Sequence, residues 1–204
     1  MRQSTISMPS AWGRNAAHRY FAGDGDTLVV LFPGLAYSCD LPLLHYAAQC
    51  ALEHRHSVLQ LEYGFQSART SFNPGDLNIL LYECKHAVDQ IRDKYRQLIF
   101  ISKSLGTLVA GQIGEMQGGT GVRQLFVTPV DDTLPYIESM ECTVIYGTGD
   151  PLFSRASVQA AEKAGKALLC PVEGADHALA LGSVEESLRV LRETCVLYDR
   201  FFAG

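Results

Sequence analysis

Short apolar runs rich in β-branched or aromatic residues recur along this chain, and longer stretches of helical spacing separate them. This alternation limits the folds open to it more than any other feature. "TLVVLF" at residues 27–32 is apolar throughout except at its first position, as in a strand covered on both faces. The same reading makes strands of residues 57–63, 97–102, 124–129, 142–147 and 166–173. Helices are expected at residues 40–54, 74–95, 105–116 and 156–164, with a closing helix at 184–201. The first starts at Asp40, whose side chain is expected to cap free N–H groups. The second opens on Pro74-Gly75-Asp76, and the third stops at Gly118-Gly119. Ahead of all these, residues 4–8 and 17–21 read as an antiparallel hairpin with its turn at 13–15. Strands that alternate with helices imply a doubly wound α/β fold, a mostly parallel sheet of about eight strands with helices on both faces. No linker or repeat interrupts the pattern, so residues 1–204 are expected to form a single domain.

Composition removes several function classes. With 47% hydrophobic and 19% charged residues, the chain is an ordinary globular protein and not a disordered one. A net charge of −5 and the lack of any basic run argue against nucleic-acid or anionic-membrane partners. The first residues are basic but lack an apolar core, unlike a secretory signal, and no stretch reaches the about 18 apolar residues of a membrane span. A cytoplasmic location is expected. The six cysteines are scattered without a C-x-x-C pair and read as buried, reduced thiols. His54-x-His56 has metal-like spacing but no companion ligands in sequence. The glycines of "GDGD" and "QGGTG" lack the strand–loop–helix setting of a phosphate cradle and read as turns. Neither a metal nor a cofactor is expected.

In sheets of this kind, sites form beyond the carboxyl ends of the strands. The residues there include Ser104, Asp150 and His177, in that order along the chain. These types form a chemical set. A serine hydroxyl needs an imidazole to take its proton, and the imidazole needs a carboxylate to fix its tautomer and stabilise its charged form. Ser104 lies in Ser102-Lys103-Ser104-Leu105-Gly106, with small residues two positions to either side, as a tight strand-to-helix corner requires. In this reading Ser102 is a packing residue, and Lys103 points to solvent or to a pocket rim. Two alternatives stand beside it. Ser104 could merely cap the helix that follows, and Asp131 or Asp132, after the preceding strand, could replace Asp150 as the acid. Asp176 adjoins His177 and would point away from its ring.

On these residues the sequence resembles the α/β-hydrolase family over essentially its whole length. The antiparallel start, the Pro33-Gly34 turn, the serine corner and the late aspartate and histidine occur in the family's order. The G-x-S-x-G elbow appears with serine for its first glycine, and the oxyanion turn lacks its histidine. The resemblance implies Ser104 as nucleophile, His177 as general base and Asp150 as its orienting acid, with the N–H groups of Leu35 and Leu105 holding the oxyanion. It further implies a serine hydrolase acting through an acyl-enzyme. Only "PVDDTLPYIESME" lies where a lid would be inserted, so no cap domain is expected. An open site of that kind suits small carboxylic esters or thioesters, including dienelactone-like ones. Tyr37, Phe65 and Phe153 lie in loops expected to border Ser104 and are candidate substrate-binding residues. An acyltransferase using the same residues, and a binding or regulatory protein on the same fold, are the alternative functions. The sequence leaves the oligomeric state open.

Overall fold

In the computed structural model, which describes residues 2–118 and 121–204, the chain opens with β1 (Arg2–Met8) and β2 (Ala16–Ala22). These pair antiparallel, from Arg2 opposite Ala22 to Met8 opposite Ala16. Then follow β3 (Thr27–Phe32), α1 (Pro42–Glu53), β4 (Ser57–Gln60), α2 (Gly64–Ala68), α3 (Leu77–Arg92) and β5 (Gln97–Lys103). The second half contains α4 (Leu105–Met116), β6 (Val122–Val127), α5 (Leu134–Ser139), β7 (Cys142–Gly147), α6 (Arg155–Ala164), β8 (Ala167–Val172) and α7 (Val184–Ala203). The strands form one sheet in the order β1-β2-β4-β3-β5-β6-β7-β8. β2 meets β4 antiparallel, and every pairing from β4 to β8 is parallel.

Period-two alternation divides the core between the two faces of the sheet. Leu28, Val30 and Phe32 of β3 and Leu98 and Phe100 of β5 pack with residues of α3, α4, α5 and α6. Val29 and Leu31 of β3 and Ile99 and Ile101 of β5 pack with α1 and α7. All nine of these side chains are buried, which is why β3 and β5 read as unbroken apolar runs. Between β6 and β7 the chain forms only a 3₁₀ turn (Asp131–Thr133) and α5, with no cap domain. No helix among the described residues is long and apolar enough to cross a membrane.

Some local expectations are corrected. Asp40 does not cap α1. The N-cap is Leu41, Pro42 opens the helix without an N–H to satisfy, and Asp40 pairs with Arg19 at 2.6 Å. The strand expected over residues 57–63 ends at Gln60, its last residue paired to β2 and β3. Leu61 and Tyr63 remain buried beyond that point, so apolar alternation outlasts the strand. Residues 74–76 form a 3₁₀ turn ahead of α3, and the five-residue α2 lies where the sequence pattern places no element. Gly119 of the expected helix stop at Gly118-Gly119 lies outside the described residues.

After β3 the chain crosses to β4 on one side, and later elements add β5 on the other. The strand order therefore reverses between β3 and β5, and a crevice opens beyond their carboxyl ends. Pro33-Gly34 and Ser104 lie there.

Candidate active site

β5 ends at Lys103 and α4 begins at Leu105, so Ser104 makes the whole turn alone, at φ 53° and ψ −123°. A non-glycine residue adopts this conformation only where its surroundings hold it. Its N–H is shared between the carbonyls of Val127 and Thr128, each at 3.2 Å. Its carbonyl accepts from the Thr107 N–H at 2.8 Å and the Thr107 hydroxyl at 2.7 Å. The demand for small residues is most severe at Gly106, where a Cβ would lie 2.4 Å from the Phe32 carbonyl oxygen and 2.5 Å from that of Pro33. α4 can thus start against the end of β3 only with glycine at this position. Ser102 is fully buried, and its hydroxyl reaches the Leu125 carbonyl at 3.5 Å.

The corner presents Ser104 Oγ to His177 Nε2 at 2.8 Å, while His177 Nδ1 meets Asp150 Oδ2 at 2.7 Å. An ionised carboxylate only accepts, so Nδ1 carries the proton, and Nε2 of the neutral ring accepts from the serine hydroxyl. Asp150 is buried, and its Oδ1 accepts from the Leu152 N–H at 2.8 Å. His177 comes from the β8–α7 connection and Asp150 from the loop after β7, and backbone bonds join the two loops. Thr148 donates to Val172 at 3.0 Å and Gly149 to Ala175 at 3.0 Å, while a Cβ on Gly147 would lie 2.1 Å from the Ala175 oxygen. The competing acid is occupied elsewhere. Asp131 Oδ1 accepts from the Ser154 N–H at 2.7 Å and the Ser157 hydroxyl at 2.6 Å. Asp176 turns back on its own loop, accepting from the N–H groups of Ala178 and Ala180.

The N–H groups of Leu35 and Leu105 donate to no protein acceptor among the described residues. Leu35 sits in a tight turn closed by a bond from the Gly34 N–H to the Tyr37 carbonyl at 2.8 Å. A Cβ on Gly34 would lie 3.1 Å from Tyr37 Cβ and 3.3 Å from Ser104 Cβ, so this turn lies directly against the serine corner. The half-buried Tyr37 accepts from the Leu43 N–H through its hydroxyl. Phe65 and Phe153, expected to border the serine, are both core side chains. The Phe65 ring packs on Trp12, Tyr63 and Phe72, while Phe153 packs on Tyr146 and lines a cavity of about 440 Å³ that also touches Asp150.

Lys103 corrects the sequence reading. It does not reach solvent but is only 2% exposed, on the α1/α7 face where the parity of Ile99 and Ile101 puts it. Its Nζ donates to Thr128 Oγ1 and to the His177 carbonyl, both at 3.0 Å, and lies 4.7 Å from the centre of the Tyr37 ring. Burial pulls its pKa down to about 8, although Asp150 and Asp176 favour its charge. The signal that could have found it is that β5 is covered on both faces, so a residue at its end is buried whichever way it points. Away from the serine corner, Cys50, His54 and Asp199 bring one potential metal-ligand atom each to within 4.8 Å of one another, and His54 Nε2 is hydrogen-bonded to Asp199 Oδ1 at 2.8 Å.

Solved structures share this architecture. An esterase of Pyrococcus furiosus aligns with a TM-score of 0.70 at 14% identity, over 100% of this chain and 91% of that one. Est1E of Butyrivibrio proteoclasticus, solved with ferulic acid bound, aligns at 0.78 and 10% identity over 97% and 98%. A Xanthomonas campestris protein described as an α/β serine hydrolase without a lid aligns at 0.71 and 15% identity over 99% and 95%. The chain has the α/β-hydrolase fold. At these identities the likeness is one of fold. No protein-family model and no curated protein matches the sequence.

Proposed function

We propose that the protein is a serine hydrolase that cleaves small carboxylic esters or thioesters through an acyl-enzyme. The observation that carries this reading is the unbroken hydrogen-bonded chain Ser104–His177–Asp150, which begins at a serine held in a strained corner. His177 Nε2 takes the hydroxyl proton as Ser104 Oγ adds to the substrate carbonyl, and Asp150 stabilises the imidazolium that forms. In this reading the oxyanion is held by the free N–H groups of Leu35 and Leu105 at the positive end of α4, and each donor is worth roughly 3–4 kcal/mol of barrier. His177 then returns the proton to the leaving alkoxide or thiolate. In the second half it deprotonates the water that releases the acid.

The short β6–β7 connection leaves the site open, which favours small substrates. Leu35 and Leu152 are exposed on the loops that carry the oxyanion donor and the acid, and they offer apolar surface to a short acyl chain. The test is turnover of p-nitrophenyl esters and matching thioesters of increasing acyl length by wild type and Ser104→Ala. Turnover that is highest for short chains and abolished by the substitution is expected. Equal turnover by both proteins contradicts the assignment of Ser104, and none by either contradicts the catalytic reading.

A further inference from the structure

The catalytic reading uses Ser104, His177 and Asp150 but leaves a buried ammonium unexplained. Lys103 directly precedes Ser104, yet its side chain reaches the loop that carries His177. All three N–H bonds of its ammonium have an outlet: the Thr128 hydroxyl, the His177 carbonyl and the face of Tyr37. Among the described residues, the bond from Lys103 is the one hydrogen bond to the His177 main chain. Two residues further on, Leu179 takes a positive φ of 56°. Apart from Lys103, the position of His177 depends on its imidazole contacts and on bonds made by neighbouring residues.

We propose that Lys103 is a positioning residue that ties the histidine loop to the serine corner and so sets the Ser104–His177 geometry. The proposal rests on the serine-hydrolase reading above. Packing alone does not account for this lysine. Its hydrogen-bond partners are two neutral oxygens, and burying a charge on such partners costs folding free energy that an apolar side chain of similar length avoids. The low pKa noted above is the sign of that cost. A residue that strains the fold while holding the general base has its use in the reaction.

The experiment compares wild type, Lys103→Met and Lys103→Gln by denaturant unfolding, by kcat and KM on p-nitrophenyl acetate, and by the downfield proton resonance of His177 Nδ1–H against Asp150. Lys103→Met is expected to be at least as stable as wild type while kcat falls on the order of 10–100-fold, with KM nearly unchanged and the resonance broadened. Lys103→Gln keeps an N–H donor and is expected to fall between the two. The proposal is overturned if Lys103→Met keeps kcat within about twofold of wild type with a sharp resonance. It is also overturned if stability and activity fall together and Lys103→Gln recovers neither. Should Lys103→Met fail to fold, the glutamine variant is read by the same criteria. A wild-type protein that shows the resonance but turns over no ester contradicts the catalytic reading alone, and the resonance in the variants then decides the role of Lys103.

Discussion

Replacing Asp150 by asparagine changes almost no volume, yet the geometry forces a large loss of activity. Oδ1 accepts from the Leu152 N–H at 2.8 Å, so an asparagine must turn its carbonyl oxygen to that donor. Its NH2 group then occupies the place of Oδ2, 2.7 Å from His177 Nδ1, and donates where a carboxylate would accept. Nδ1 becomes an acceptor and the ring proton moves to Nε2, which faces Ser104 Oγ at 2.8 Å and can no longer take its proton. An amide in this role lowers turnover by on the order of 10⁴-fold, about 5 kcal/mol of barrier. The assay is kcat on p-nitrophenyl acetate for Asp150→Asn and Asp131→Asn, with unfolding curves to show that both variants remain folded. Asp131→Asn is expected to keep kcat near wild type, because that carboxylate is engaged with Ser154 and Ser157. A loss below about tenfold for Asp150→Asn is incompatible with Asp150 fixing the His177 tautomer, as is an equal loss for Asp131→Asn.

Three further outcomes follow from the same geometry. Gly106→Ala drives a methyl group against the Phe32 and Pro33 carbonyl oxygens and is expected to lower the unfolding free energy by about 3 kcal/mol or more, read by denaturant titration. Ser104→Gly relieves the strain at φ 53° that Ser104→Ala retains. After allowing for the extra entropy of an unfolded glycine, it is expected to be the more stable of the two by about 1 kcal/mol. Lys103 has a native pKa of about 8 against an ordinary 10.5, so between these values the unfolded chain binds more protons and wild-type stability rises with pH. The stability advantage of Lys103→Met is therefore expected to be fully present below pH 8. It should shrink by at most about 3 kcal/mol as the pH rises toward 10.5, and a gap that stays constant or widens contradicts this.

Much of this arrangement was legible in the residue pattern, and the exceptions have physical causes. β3, β7 and α4 have the boundaries expected of them, because a proline follows β3, a glycine closes β7 and the serine corner opens α4. The positions of Ser104, Asp150 and His177 just past their strands followed from the same punctuation. Asp131 and Asp150 could not be told apart in sequence, because both follow a strand and only the fold determines which carboxylate meets the imidazole. Alternation misled at Leu61 and Tyr63, which stay buried past the end of β4, where only the Leu61 N–H still bonds to β3, at the Leu31 carbonyl. Composition misled at Lys103, since a lysine is rarely buried, although it ends a strand whose two faces are both covered. Phe65 lies in a loop by sequence but in the short helix α2 by structure, which turns its ring into the core.

Exposure to a fluorophosphonate, followed by intact mass and peptide mapping, reads the nucleophile itself. One covalent adduct per chain is expected, mapped to Ser104, absent from Ser104→Ala and formed much more slowly by Asp150→Asn. An unlabelled wild type, or an adduct that persists in Ser104→Ala, contradicts Ser104 as the nucleophile.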